Sequence, residues 1–294
     1  MSKLTTRHRR RCFRRRNEKS RFSDNRRADT TQSTGSASAP AMKTWRRPVW
    51  PHEIRNLVDM KRCDEEDSSV SAKHAVQLAS TMSTCGAPHA FRLSGVSLSN
   101  ATFLGEQSLE ITMPTSAYQD PTREQLTDRH FMAWLPLDFH DGTIEVEVAS
   151  QVAPNAPSYA RGFVGVAFRV DAALRFESIY LRPTNAIADD QVRRNHTVQY
   201  FSHPDYPFAR LRSESPEMYE TYADIAPAQW IHMKITVVGN RAQLHLNRQP
   251  RPTIVINDMK LGHDQRGGVG LWIESGTIAY FRDLSVAPVA GDDD

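Results

Sequence analysis

Two runs of strict apolar–polar alternation constrain the fold more than any other feature of the chain. In Gly142–Ser150 (GTIEVEVAS), Ile144, Val146 and Val148 point one way while Glu145 and Glu147 point the other. In Trp230–Val238, Ile231, Met233, Ile235 and Val237 alternate with His232, Lys234 and Thr236. A period of two suits a strand with one buried face and lays no apolar stripe along a helix. Gly239-Asn240 follows the second run and leads into RAQLHL, so 230–238 and 241–246 read as a β-hairpin. Further strand candidates are 108–113, 131–137, 162–170, 175–182, 196–202, 252–256, 267–273 and 277–286. Roughly a dozen short strands separated by turn signals predict an all-β, two-sheet antiparallel jelly-roll sandwich spanning 91–288. Only 205–222 departs from this pattern. It is a Pro-punctuated insertion with a helical turn near Ala209–Ser213, and such insertions lie over a face or rim, where function collects.

Charge divides the chain into unlike parts. Residues 1–47 hold 15 Lys+Arg and 3 Asp+Glu; the totals of 37 and 34 leave 22 basic and 31 acidic residues for 48–294, a net of −9. The sequence therefore predicts a disordered basic tail at 1–47 and a linker at 48–90 with a short helix in AKHAVQLAST. A six-residue acidic tail follows at 289–294. A body of net −9 is a poor partner for a phosphate backbone, although the basic tail keeps a nucleic-acid role open. Cys12, Cys63 and Cys85 are odd in number and widely spaced, which gives neither a disulfide framework nor metal-ligand spacing. No apolar run approaches the ~20 residues of a membrane span. The start MSKLTTRHRRRCFRRR has no apolar stretch behind its charges, so no signal peptide is expected as written; the compartment stays open, with the cytoplasm the default and export open should the true start differ.

The chemistry concentrates in 175–222, where planar polar groups and aromatics interrupt the strand pattern. Directional hydrogen bonds and flat faces are what a hydroxyl-rich ligand needs. The candidate ligand-binding residues are Tyr180, Arg182, Asn185, Asp189, Arg193, Arg194, Asn195, His196, Gln199 and Tyr200. If Ile179 and Leu181 enter the core, Ser178, Tyr180 and Arg182 share the opposite face. Arg193 and Arg194 with Asp189 and Asp190 also fit an ion-pair lattice that holds a long loop. His196 and His203 are candidate general bases, and Arg182 or Arg193 a candidate charge stabiliser. Asp189, Asp190 and Asn185 offer oxygen donors to Ca²⁺, but without an EF-hand pattern; the spacing of the two histidines fits no zinc motif. No nucleotide-binding glycine loop occurs, so no cofactor is expected. Trp272 reads as core or as a stacking platform.

The segments GFVGVAFRV, FESIYLRPTNA, DDQVRRNHTVQYFSHPDY, YADIAPAQWIHMKITVVGNRAQLHLN and GGVGLWIESGTIAYFRDLSV resemble the concanavalin A-like lectin/glucanase superfamily. Within it they are most similar to bacterial laminin-G-like and 3-keto-disaccharide hydrolase-like domains. The resemblance covers about residues 91–288 and implies two curved stacked sheets with a concave, glycan-binding face. The laminarinase-type members carry a Glu-x-Asp-x-Glu or Glu-x-Asp-x-x-Glu strand. Here Glu145 and Glu147 lack a third acid, since Ala149 and Ser150 stand in its place. A retaining glycosidase needs two carboxylates, so that activity does not carry over. Three functions stay open: a carbohydrate-binding domain, a sugar-processing enzyme, or a module that binds a protein partner.

Overall fold

The computed structural model describes residues 88–289. The tail 1–47, the helix expected in the 48–90 linker, all three cysteines and the acidic end from 290 lie outside the described residues. All eleven strands expected from the sequence are present. In chain order with the additional ones they are β1 (Arg92–Ser94), β2 (Ser97–Phe103), β3 (Glu106–Thr112), β4 (Met132–Phe139), β5 (Gly142–Val152), β6 (Val164–Val170) and β7 (Phe176–Leu181). Then follow β8 (Val198–His203), β9 (Glu220–Thr221), β10 (Ile231–Val238), β11 (Arg241–Leu246), β12 (Ile254–Ile256), β13 (Gly267–Ile273) and β14 (Thr277–Pro288). The unforeseen β1, β2 and β9 are sheet-edge strands. Two are only two or three residues long, and β2 (SLSNATF) is polar, as edges that avoid further pairing tend to be.

Two seven-stranded antiparallel sheets form the sandwich. One has the order β1-β4-β13-β6-β7-β8-β9 and the other β12-β11-β10-β5-β14-β3-β2. Pairing of β10 with β11 closes on Gly239-Asn240, with Gly239 at φ +55°, a conformation that glycine adopts without steric cost. Ile144, Val146, Val148, Met233, Ile235 and Val237 lie at 0–1% exposure between the sheets, as the alternation requires.

The sheets differ in what covers their outer faces. Strand β5 alternates between buried and half-buried residues over most of its length, so the outer face of its sheet meets water. Strands β6 and β7 are buried at every position, so loops must cover the outer face of theirs. Across β7 and β8, Ile179 pairs with Tyr200, and Tyr180 with Gln199. Directly opposed residues share a face, so Tyr200 enters the inter-sheet core while Tyr180 and Gln199 lie beneath the covering loops. Gly165 makes that outer surface continuous. It pairs with both Trp272 and Tyr180, whose ring centroids meet 4.7 Å apart. A Cβ at Gly165 would lie 2.4 Å from Tyr180 Cβ.

One end of the sandwich is fastened by Arg169, which is fully buried. Its guanidinium donates to the carbonyls of His140, Gly262 and Gly239 and to Asp141 Oδ1 at 2.9 Å. Asp141 in turn accepts from Gly239 N. The start of β5, the end of β6, the β10–β11 turn and the loop before β13 are thus held by one charged group through four hydrogen bonds.

Candidate functional site

The floor of the site is the outer face of β7, and its rim is the connection to β8. Strand β7 ends at Leu181, and Arg182 is held in register by its N–H donating to Thr197 O at 2.7 Å. Pro183 then starts helix α1 (Pro183–Ala186), where its missing N–H costs no helical bond. Helix α2 (Gln191–Asn195) follows, capped by Asp190 Oδ1, which accepts from Arg193 N at 2.7 Å. The sequence pattern showed neither short helix.

Three segments form the roof. The stretch between β3 and β4 supplies Gln119, Leu126, Thr127 and Asp128. The one between β5 and β6 supplies Tyr159, Arg161 and Phe163. Helix α3 (Phe208–Glu214), in the insertion flagged from the sequence, supplies Phe208 and Arg212. With Tyr180, Arg182, Asn185, Arg193, His196 and Glu274 these enclose a pocket of about 230 Å³.

Asp128 joins roof to floor. It accepts from Tyr180 Oη at 3.0 Å and from Phe208 N at 2.6 Å. The second bond satisfies a helix N-terminal donor that Pro207, at the cap, cannot serve. Burial pushes the Asp128 carboxyl up to about 6, against the opposing pull of Arg182. Burial also raises the Tyr180 phenol well above its ordinary range. Arg182 is 5% exposed, with its guanidinium over the rings of Tyr180 and Phe208 at 4.9 and 5.2 Å. It donates to Tyr180 Oη and, at 3.2 Å, to His196 O.

His196 Nε2 lies 3.3 Å from Glu220 Oε1, and Glu220 is also gripped by Nε and Nη2 of Arg212. Burial first, then Arg212, lowers the His196 imidazole, which favours the neutral ring at pH 7. Glu274 is 4% exposed and paired with Arg129 through two hydrogen bonds. Tyr159, Phe163 and Phe208 are half-buried and present ring surface to the pocket.

Of the ten ligand-binding residues expected from the sequence, Tyr180, Arg182, Asn185, Arg193 and His196 line this pocket. Gln199 lies directly beneath, its amide oxygen 3.4 Å from Arg182 Nη1. The remaining four lie away from it. Tyr200 is fully buried between the sheets, where it donates to Glu177 Oε2 and accepts from Lys260 N. Arg194 turns to Tyr222, donating to its hydroxyl at 3.0 Å. Asn195 accepts from Gln191 at 2.8 Å on the exposed side of α2, and Asp189 is exposed to solvent.

Three other readings change. The expected Asp–Arg lattice does not form, because Asp190 caps α2 and the two arginines reach Asn185 and Tyr222 instead. Asp190 Oδ1 is used in that cap, and no group of three or more His, Cys, Asp or Glu suited to a metal occurs among the described residues. His203 is not in the pocket. It stacks on Phe176 with ring centroids 5.1 Å apart, and its Nδ1 lies 3.0 Å from Leu174 O. Trp272 is fully buried and donates to Arg129 O at 2.6 Å, so it is core.

Glu145 and Glu147 lie on the outer face of the other sheet, paired with Lys234 and His232 and with Arg248, all at 3.0–3.2 Å. They are the solvated side of an amphipathic strand.

Sequence reasoning missed Asp128, Tyr159, Arg161 and Glu274. A signal for Asp128 did exist. The stretch from 114 to 130 fits neither strand nor helix period, and a long aperiodic connection in a sandwich is commonly functional.

No helix among the described residues is long and apolar enough to cross a membrane. No family model matches the chain, and no curated protein matches its sequence. Among solved structures, carbohydrate-binding module CBM66 of Bacillus subtilis aligns over 66% of this chain and 95% of its own, at 14% identity and a TM-score of 0.39. A Bacillus subtilis protein of unknown function with a galectin-like fold aligns over 67% and 97%, at 13% identity and 0.41. Domain 4 of an extracellular arabinanase of Geobacillus stearothermophilus, solved with arabinotriose, aligns over 65% and 78%, at 10% identity and 0.33.

Proposed function

We propose that this protein is a carbohydrate-binding domain of concanavalin A-like architecture that takes a sugar in the pocket between β7 and its roof. One observation carries the reading. Guanidinium, carboxamide and carboxyl groups converge with three half-exposed rings on the outer face of one sheet. Arginine forks and the Asn185 amide suit vicinal hydroxyls, while Tyr159, Phe163 and Phe208 offer faces for a pyranose ring. A calorimetric titration of the full chain against a panel of mono- and disaccharides tests it. Saturable binding that Arg182→Ala abolishes is expected, and a wild-type protein silent across the panel would end the reading.

A sugar-processing activity is favoured by Asp128 alone. A carboxyl raised to about 6 inside a pocket is suited to proton transfer near neutral pH. Turnover of native or 3-oxidised disaccharides by the wild type, lost in Asp128→Asn, would establish it. Binding without turnover leaves a lectin-like domain.

A further inference from the structure

We propose that the sugar bears a carboxylate, a hexuronic acid residue whose acid group sits among Arg161, Arg182 and Arg193. This rests on the carbohydrate reading above and narrows it to a ligand class.

The pocket contains four arginines, and only Arg212 is spent on an acid, Glu220. The other three use their donors on neutral oxygens. Arg161 Nη1 donates to the carbonyls of Ser158 and Ala160, both at 2.7 Å. Arg182 donates to His196 O, Gln199 Oε1 and Tyr180 Oη, and Arg193 donates to Asn185 Oδ1 at 3.4 Å. Among the described residues, none of these three has a carboxylate at ion-pair distance. Neutral acceptors satisfy the N–H groups but leave the charges standing.

These charges are crowded together. Thr184, in α1, donates through both its N–H and its hydroxyl to Arg161 O. Its neighbour Asn185 accepts from Arg193 and donates to the same His196 carbonyl that Arg182 reaches. Burial chiefly, and then the like charges of Arg193 and Arg182, lowers the Arg161 guanidinium, which places the three cations within electrostatic reach of one another. The pocket's own acids make their hydrogen bonds and ion pairs with other groups, although the Asp128 carboxyl is near enough for Arg182 to attract its charge. Asp128 serves Tyr180 and Phe208, Glu274 serves Arg129, and Glu220 serves Arg212 and His196. The surplus is local, since residues 48–294 as a whole carry a net of −9. A planar carboxylate matches guanidinium forks in shape and cancels their charge, whereas a pair of vicinal hydroxyls can span the fork but cancels no charge. The 230 Å³ amounts to about eight water volumes, room for one sugar ring.

The test is titration of the full chain with glucuronic and galacturonic acids, glucose and galactose, glucose 6-sulfate and inorganic sulfate, at one ionic strength. The acids are expected to bind at least tenfold more tightly than their neutral parents, about 1.4 kcal/mol. Arg193→Gln and Arg161→Gln should bring that ratio toward one, while Arg194→Gln, outside the pocket, keeps it. Arg193 is exposed and its cap bond to Asp190 is made by the backbone, so its variant retains the fold; circular dichroism checks this. Neutral sugars binding as well as the acids would overturn the carboxylate proposal and leave the carbohydrate reading standing. Tighter binding of sulfate or the sulfate ester would overturn it in favour of a tetrahedral anion. Silence from every sugar removes both readings.

Discussion

The Tyr180 hydroxyl donates to the Asp128 carboxyl at 3.0 Å, and the other oxygen of that carboxyl holds the first N–H of α3 at 2.6 Å. One side chain from an aperiodic loop thus positions both the strand floor and the helical roof. The contact has consequences for stability as well as for ligand binding.

The Asp128 carboxyl titrates near 6 in the folded protein, against 3.8 ordinarily. Between these values the folded state binds more protons than the unfolded one, so this group's contribution to stability falls as pH rises from about 4 to 6 and is level above about 7. A displacement of that size is worth roughly 3 kcal/mol. Thermal melts of Asp128→Asn and wild type should therefore diverge across pH 4–7, the variant gaining on the wild type as pH rises. A difference that stays constant over that range would mean the carboxyl is ionised throughout.

Tyr180 and Tyr200 stand on opposite faces of one sheet, so their loss has different effects. Tyr200→Phe deprives Glu177 Oε2 of a donor and Lys260 N of an acceptor, and should cost roughly 1–3 kcal/mol with saccharide affinity unchanged. His203→Ala should likewise lower stability alone, through lost stacking on Phe176. Tyr180→Phe should weaken binding, because Arg182 and Asp128 both use its hydroxyl. Denaturant curves paired with titrations separate the cases. Affinity lost on Tyr200→Phe at wild-type stability would put that residue back in the site.

Arg169→Met removes a buried guanidinium that bonds three carbonyls and leaves Asp141 without its cation. Breaking such a pair costs roughly 3–5 kcal/mol. For a domain of this size that is a fall in melting temperature on the order of 10 °C. Calorimetry reads it directly, and a variant melting within a degree or two of wild type would show that the four joined segments need no such fastening.

The sheets were legible because each central strand carries its own local signature. The β5 and β10 alternation marked inward and outward residues one by one. Where the signature was absent, it was absent for a reason: β6 and β7 are buried on both faces and so do not alternate. That loss of alternation is itself the clue to a covered sheet, and it separates the pocket side of the sandwich from the solvated side. The site was half legible. Arg182, Asn185, Arg193 and His196 lie close together in sequence, so a reading along the chain finds them together. Asp128, Arg161 and Glu274 reach the pocket from distant segments, and only the fold brings them in. Tyr200 was misassigned because a one-residue step along a strand reverses the face, and Tyr180 and Tyr200 belong to opposite registers.

The pocket's base is made by strands locked into a hydrogen-bonded lattice, and its cover is moored to that lattice at a few named points: Asp128 to Tyr180, Gln119 N to Ser275 Oγ, Trp272 to Arg129 O, and Tyr200 N to Tyr219 O. Exchanges in the 114–130, 153–163 or 205–222 connections that spare these moorings are expected to reshape the pocket's lining at small cost to folding, whereas exchanges at the moorings themselves change lining and stability together.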